Sequence, residues 1–198
     1  MGGSRQVPPE GGRPGRRPGS RPSLVEAVHG RVERCLGRVP GRCLYVGVAD
    51  QRLLVLVGGK EIARYPVSTA KAGINAREGS CGTPPGVHRI HRKIGRGAPA
   101  GTVFESRRPT GESWRPGDPK DPERDLILSR ILTLEGLEEG TNRGAGLDSL
   151  ARHIYIHGTN QESRVGRPVS GGCIRMTNAD VIDLFDRVEE GDPVVIGG

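Results

Sequence analysis

Between Cys43 and Val67 the apolar residues fall in three short runs, Leu44 to Val48 with a period of two, Leu53 to Val57, and Ile62 to Val67, which is the pattern of successive β-strands. The stretch reads CLYVGVADQRLLVLVGGKEIARYPV, and it is interrupted at residues 49–51 and again at Gly58-Gly59. Two adjacent glycines between apolar runs are a strong signal for a two-residue hairpin turn. The pattern therefore predicts three sequential strands, a β-meander, in a chain that folds mainly as sheet.

Further strands are predicted along the chain, separated by turns rich in glycine and proline. They are expected near residues 87–90, 125–136, 152–157 and 173–176, with a closing strand in the segment PVVI. Glycine and proline supply 32 and 16 of the 198 residues, a composition that favours short strands over long helices. One domain of mainly β structure with minor α is the expected fold class.

Two segments depart from the strand pattern and predict amphipathic helices. The first spans residues 23–36, where Ser23 and Glu26 have the spacing of a capping box. The second begins after Thr177 and carries apolar residues at helical spacing, and we expect it to run to Gly191. Each helix would lay its apolar stripe against the sheet.

The segment 96–124 is rich in proline and arginine and contains Trp114, the only tryptophan in the chain. It predicts a long loop. Structureless loops of that length are uncommon inside compact domains and often serve as lids or binding loops. Such a role and a plain insertion both stay open at this point.

The positive charge is concentrated at the start of the chain. Residues 1–22 hold five arginines and one glutamate, so they supply more than half of the formal net charge of +7. This Gly/Pro/Arg tail has no apolar run and is not expected to fold alone. It also lacks the apolar stretch of a signal peptide, and no segment of the chain is long and apolar enough to span a bilayer.

The cysteines and histidines do not have the spacing of a metal site. The four cysteines, at positions 35, 43, 81 and 173, form no CxxC pair and no close Cys/His cluster. His88 and His91 are three apart on a predicted strand and would face opposite sides. We expect no metal, no cofactor and no disulfide framework, and we expect Cys35 to pack as a buried small hydrophobe.

One arrangement of residues does carry chemistry, in the segments IYIHGTN and SGGCIRM. A thiol attacks as thiolate, so a catalytic cysteine needs a base beside it. His157 ends one predicted strand and Cys173 begins another, so adjacent strand ends can bring them together. The amides of Gly172 and Cys173 are candidate oxyanion donors. Arg175 would share a face of the strand with Cys173. Three roles stay open for it: it lowers the thiol pKa, it binds a substrate carboxylate, or it is a plain surface arginine.

These residues resemble the signature of the L,D-transpeptidase catalytic domain, the YkuD-like family, in which a histidine precedes a serine-x-glycine-cysteine-x-arginine block. The similarity extends over about residues 42–196, because the opening meander, the segment GTPPGVHRI and the closing helix and strand also resemble the family's. It implies a β-sandwich-like fold in a catalytic domain at 42–198, preceded by the tail at 1–22 and the helix at 23–38.

The resemblance also implies the reaction and the roles of individual residues. Cys173 matches the nucleophile, His157 the base, and the Gly158 carbonyl the group that orients the imidazole. Ser170 and Arg175 match positions that line the substrate site. Where many members have histidine, this chain has Gly171, a departure that concerns substrate or acceptor preference and not the base. The donor would be a peptidoglycan stem peptide, whose acyl group would form a thioester with the enzyme. The acyl group would then be transferred to an amine acceptor in cell-wall biogenesis.

Two alternative functions stay open. An L,D-carboxypeptidase or amidase would use the same dyad with water as acceptor. A non-catalytic module that binds an anionic polymer through the tail is less favoured, because aromatics make up only 3% of the chain and offer no stacking platform for bases. We expect a monomer without a specific nucleic-acid partner. The family implies the cell envelope or periplasm, while the lack of a signal peptide leaves a cytoplasmic form open.

Overall fold

A computed structural model describes residues 22–118 and 124–198 of the chain. Within these ranges the chain forms ten strands, two α-helices and one short 3-10 helix. The strands are β1 Arg42–Gly47, β2 Arg52–Val57, β3 Lys60–Pro66, β4 Gly86–Ile94, β5 Thr102–Glu105, β6 Arg108–Ser113, β7 Ile127–Gly136, β8 Tyr155–Gly158, β9 Ile174–Met176 and β10 Pro193–Gly197. The helices are α1 Leu24–Leu36 and α2 Asn178–Arg187, and the 3-10 helix is Glu162–Arg164. The expected class, mainly β with a helix at each predicted place, is confirmed.

The predicted meander is present as β1, β2 and β3, which pair antiparallel in sequence order. Gly58 and Gly59 form the turn between β2 and β3, with φ of 55° and 77°. A two-residue turn with positive φ at both positions suits glycine, because the missing Cβ removes the steric penalty of that region. The four residues 53–56 of β2 are all buried, so this strand is covered on both faces instead of one.

The strands join into one curled sheet instead of two separate sheets. Its order is β3-β2-β1-β10-β4-β7-β5-β6, with β8 paired to β7 and β9 paired to β8. The chain just after β3 then meets β9, since Ser68 and Arg175 form an antiparallel bridge and exchange both backbone hydrogen bonds. The two layers of the expected sandwich are thus parts of one sheet, and β8 and β9 lie where it closes.

The main core fills the inside of this curled sheet. Apolar residues from eight of the strands and from α2 form one cluster, with Phe185 of α2 fully buried in it. Helix α1 covers the outer face, where Val28 and Val32 pack on the sheet, and Arg31 forms an ion pair with Glu138 at 3.3 Å. The Ser23 capping box that begins α1 is present, as the sequence predicts.

Two predictions from the sequence need correction. The segment 96–124 is not one long loop, because β5 and β6 form a hairpin within it. Helix α2 ends at Arg187, before Gly191, because Val188 is already extended and its side chain is fully buried in the core. The helix at 23–36 is confirmed, whereas the tail at 1–22 lies almost wholly outside the described residues. Neither α-helix in the described ranges has the length and apolar character needed to cross a bilayer.

Candidate active site

The pairing of β8 with β9 brings the two predicted site segments together. The strands are parallel, with Ile156 opposite Ile174 and His157 opposite Arg175. Both isoleucines point into the main core, so His157 and Arg175 project from the other face of the same strands. Cys173 lies two residues before Arg175 and directly before β9, which places it on that face as a diagonal neighbour of His157.

The His157 ring is buried and held by its own strand end. The side chain is 2% exposed, and Nδ1 lies 2.8 Å from the Gly158 carbonyl oxygen. Because a carbonyl oxygen only accepts, Nδ1 carries the proton in this bond and Nε2 is the basic nitrogen. Burial lowers the pKa of His157, while the Gly158 bond and the nearby Asp125 carboxylate act in the opposite direction and Arg175 lowers it further. The ring is therefore neutral at rest.

The Cys173 thiol is half-buried and also neutral at rest. Its Sγ donates a hydrogen bond to the His153 carbonyl oxygen at 3.4 Å. Burial raises the pKa of Cys173 to about 11, against a hydrogen bond from the Tyr155 backbone, which lowers it. Among the described residues no hydrogen bond joins the thiol to the imidazole. The pair is a thiol beside a neutral base, not a preformed thiolate and imidazolium.

The turn before Cys173 is shaped by Ser170 and Gly172. The Ser170 hydroxyl donates to the Cys173 carbonyl oxygen at 2.6 Å and accepts from the Gly172 amide at 3.2 Å. Gly172 has φ of 134°, and a Cβ there would lie 3.2 Å from the Gly82 carbonyl oxygen. At Gly171 a Cβ would meet no atom within 4 Å. The turn needs glycine at position 172, whereas position 171 has room for a side chain.

The Arg175 guanidinium is held from two sides. Its Nη1 donates to Gln161 Oε1 at 3.1 Å and its Nη2 to Asp125 Oδ2 at 2.5 Å. The residue is 5% exposed, and its Nε is buried and has no hydrogen-bond partner among the residues that the structure describes. The Asp125 side chain is 47% exposed, so the carboxylate reaches from solvent to the buried arginine. The Arg175 cation is thus already matched by a carboxylate of the chain.

Several residues at this site were not singled out by sequence reasoning. Asp125 comes from the loop before β7 and Gln161 from the loop after β8. The Asn160 side chain fixes Asp125 by binding both of its chain neighbours: it accepts from the Leu126 amide at 3.0 Å and donates to the Arg124 carbonyl oxygen at 2.7 Å. Arg152 was also missed. Asn160 ends the segment IYIHGTN, and Asp125 and Arg152 begin two predicted strands, but nothing local to these residues indicates a role at the site.

A cavity of about 300 Å³ adjoins the site on the side of the β5–β6 hairpin. Its lining includes Phe104, Glu112, Asp125 and Ile127. Within the described ranges, no group of three or more His, Cys, Asp or Glu side chains is placed to hold a metal ion. His88 is buried and bonded to Ser149 Oγ at 3.0 Å, whereas the His91 ring faces Glu135 at 3.3 Å.

Comparison with known proteins identifies similar sequences around this site. The sequence model of the L,D-transpeptidase catalytic domain, YkuD, matches residues 42–196. The putative L,D-transpeptidase YkuD of Bacillus subtilis is 51% identical over 45 residues, which cover 23% of this chain and 27% of that protein. The probable L,D-transpeptidase ErfK/SrfK of Salmonella typhimurium is 47% identical over 47 residues, covering 24% of this chain and 15% of its own length.

The same similarity is found in the fold. L,D-transpeptidase 3 from Mycobacterium tuberculosis aligns with a TM-score of 0.50 at 17% identity, covering 80% of this chain and 62% of the other. The Ldtfm-avibactam carbamoyl enzyme aligns with a TM-score of 0.50 at 16% identity, covering 81% and 50%. Because the family model spans most of the chain from β1 to β10 and includes every residue of the site, the chain belongs to the L,D-transpeptidase catalytic domain family.

Proposed function

We propose that this protein is a cysteine-dependent L,D-transpeptidase that acts on peptidoglycan stem peptides through an acyl-enzyme thioester. The observation that carries the proposal is the placement of Cys173 and His157 on one face of two paired strands, with His157 Nδ1 bound to the Gly158 carbonyl oxygen. That bond leaves Nε2 as the nitrogen that can take the thiol proton.

The acylation step follows from the neutral resting pair. As Cys173 Sγ attacks the carbonyl carbon of the stem peptide, the thiol proton moves to His157 Nε2 and the carbonyl becomes an oxyanion. The Cys173 amide is its principal proposed donor, since the Gly172 amide is bonded to Ser170 and would have to leave that bond to join it. The carbon–nitrogen bond then breaks, the leaving amine takes the proton from His157, and a thioester remains.

The second step returns the enzyme to its starting state. An acceptor amine attacks the thioester carbonyl carbon and loses a proton to His157 Nε2. The carbon–sulfur bond of the thioester then breaks, and the released Cys173 thiolate recovers that proton. A new amide bond links the acceptor and the acyl group. If water replaces the amine, the same steps give an L,D-carboxypeptidase or amidase and release a free acid.

The cavity beside the β5–β6 hairpin is the proposed place for the acceptor side of the substrate. Its wall includes Asp125, whose carboxylate contacts Arg175, so the cavity borders the ion pair of the site. In this arrangement Arg175 acts with Asp125 as a fixed ion pair near the thiol, and a substrate carboxylate would have to compete with Asp125 for the guanidinium. A monomer in the cell envelope is the proposed working form.

Intact-mass analysis tests the nucleophile. The protein is incubated with a disaccharide-tetrapeptide, or with a carbapenem as an acylating probe, and the covalent adduct is measured. We expect an adduct on the wild type and on Cys81→Ala, which removes an exposed thiol as a matched control. We expect none on Cys173→Ala. An adduct that persists on Cys173→Ala overturns the assignment.

A second measurement separates transfer from hydrolysis. An amine acceptor is added to the acylated enzyme and the products are analysed by mass. A cross-linked product supports the transpeptidase, whereas release of the free acid alone, at every acceptor concentration, supports the hydrolase.

A further inference from the structure

Arg152 binds the loop that lies against the glycine turn of the site. Its Nη1 donates to the Ala76 carbonyl oxygen at 2.7 Å and to the Asn75 carbonyl oxygen at 3.3 Å, and its Nη2 donates to the Gly82 carbonyl oxygen at 2.9 Å. A planar guanidinium can make such parallel bonds at once, and an ammonium group cannot reproduce that geometry. Arg152 thus joins the two ends of the segment 75–82.

The bound segment reaches the turn that precedes Cys173. The same Gly82 carbonyl oxygen that accepts from Arg152 would lie 3.2 Å from a Cβ on Gly172. The next residue, Thr83, donates its hydroxyl to the Gly172 carbonyl oxygen at 3.0 Å and accepts from the Ala70 amide at 3.0 Å. The position of the turn therefore depends on the segment that Arg152 holds.

Arg152 is also tied to the thiol through its chain neighbour. His153, the next residue, has φ of 57° and presents the carbonyl oxygen that accepts from Cys173 Sγ at 3.4 Å. Arg152 itself is half-buried and forms no ion pair with a carboxylate within the described part of the chain. The Glu78 carboxylate acts on this guanidinium only at longer range, in contrast to Asp125, which contacts that of Arg175.

We infer that Arg152 is a positioning residue for Cys173, which holds the 75–82 segment against the glycine turn and supplies positive charge near the thiol. The inference rests on the proposed role of Cys173 as nucleophile. The charged and titratable groups around the thiol act in both directions: the Asp125 carboxylate raises the pKa of Cys173, and Arg175 and Arg152 lower it, while the Tyr155 phenol shares its cluster. Within residues 22–118 and 124–198, Arg175 has a carboxylate in ion-pair contact and Arg152 has none.

The test compares Arg152→Gln with Arg152→Lys in the full chain. Gln removes the charge and Lys keeps it, and both are long and polar, so the fold is expected to tolerate them. Arg42→Ala is the matched control, since it removes a half-buried arginine that pairs with Asp192. Cys173 is alkylated either with iodoacetamide, which is neutral, or with iodoacetate, which is anionic. The rate of each reaction is measured by peptide mapping.

We expect the ratio of the iodoacetate rate to the iodoacetamide rate to fall roughly threefold to tenfold in Arg152→Gln, because the thiolate fraction affects both rates equally and a nearby cation attracts only the anionic reagent. The ratio should stay near the wild-type value in Arg152→Lys and in Arg42→Ala. Hydrogen exchange of residues 75–83 should rise in both Arg152 variants, because neither replaces the guanidinium bonds. An unchanged ratio in Arg152→Gln overturns the electrostatic role, and unchanged exchange overturns the positioning role. Neither readout requires transpeptidase activity, so a failed acylation test leaves this result interpretable.

Discussion

Arg175 Nη2 and Asp125 Oδ2 form a 2.5 Å ion pair that links the strand after the candidate nucleophile to the loop before β7. The arginine is buried and the carboxylate is about half exposed, so one partner is desolvated while the other meets the adjoining cavity. A buried cation without a partner is costly, so the Asp125 carboxylate is what allows Arg175 to lie buried at the site. The same carboxylate raises the pKa of both His157 and Cys173.

Asp125→Asn should therefore make Cys173 more reactive. Removing the carboxylate lowers the pKa of the thiol and leaves Arg175 uncompensated, and both changes favour the thiolate. We expect iodoacetamide to alkylate Cys173 several times faster at about pH 8. Glu112→Gln is the control, because Glu112 lines the same cavity without acting on the thiol. Slower alkylation in Asp125→Asn would contradict the electrostatic assignment.

The two glycines before Cys173 should respond differently to substitution. Gly172→Ala places a Cβ 3.2 Å from the Gly82 carbonyl oxygen at a φ of 134°, whereas Gly171→Ala meets open space. We expect Gly172→Ala to lower the free energy of unfolding by about 1–3 kcal/mol and to lower the rate of acylation at least about tenfold. Gly171→Ala should change stability by no more than about 0.5 kcal/mol. Urea unfolding and adduct formation measure the two effects, and equal effects at both positions would refute the distinction.

The parts of the fold that could be predicted are those with a local signal. The signals for β1 to β3, for the turn at Gly58 and Gly59 and for the capping box of α1 each depend on a few neighbouring residues, and the three paired strands, the turn and the capping box are all present in the structure. The motif that contains Cys173 and His157 is similarly local. Its two segments needed only adjacent strand ends to meet, and the parallel pairing of β8 with β9 provides them.

The parts that could not be predicted depend on contacts between distant segments. Every residue of β6 is exposed, so the strand has no apolar alternation and reads as loop in the sequence. Asp125 and Arg152 reach the site only because the sheet curls and its loops converge there. Nothing near Arg152 in sequence indicates that its guanidinium binds carbonyl groups some seventy residues earlier in the chain.

The lowered pKa of His157 predicts how acylation depends on pH. Because the imidazole must be neutral to take the thiol proton, a pKa below the ordinary value keeps the base active to lower pH. We expect the acylation rate to stay level through the ordinary histidine range near pH 6.5 and to fall only below it. His157→Ala should slow acylation by about 10²–10⁴-fold. Stopped-flow measurement of adduct formation across pH checks both, and a midpoint above the ordinary histidine value would disprove the first.

His88 lies outside the candidate active site and should make the free energy of unfolding depend on pH. The side chain is fully buried, and burial lowers its pKa to about 4, while its bond to the Gly86 carbonyl oxygen acts in the opposite direction. The unfolded chain binds a proton at the ordinary pKa near 6.5, so between these values it holds more protons than the folded protein. The free energy of unfolding should therefore decrease as pH falls from about 6.5 to about 4, by at most about 3 kcal/mol from this group. Urea unfolding at a series of pH values measures that slope in the wild type, in His88→Gln and in His91→Gln, a control on the same strand whose ring is partly exposed. The slope should diminish in His88→Gln and persist in His91→Gln, and a slope that is the same in all three proteins would show that the buried imidazole is not its source.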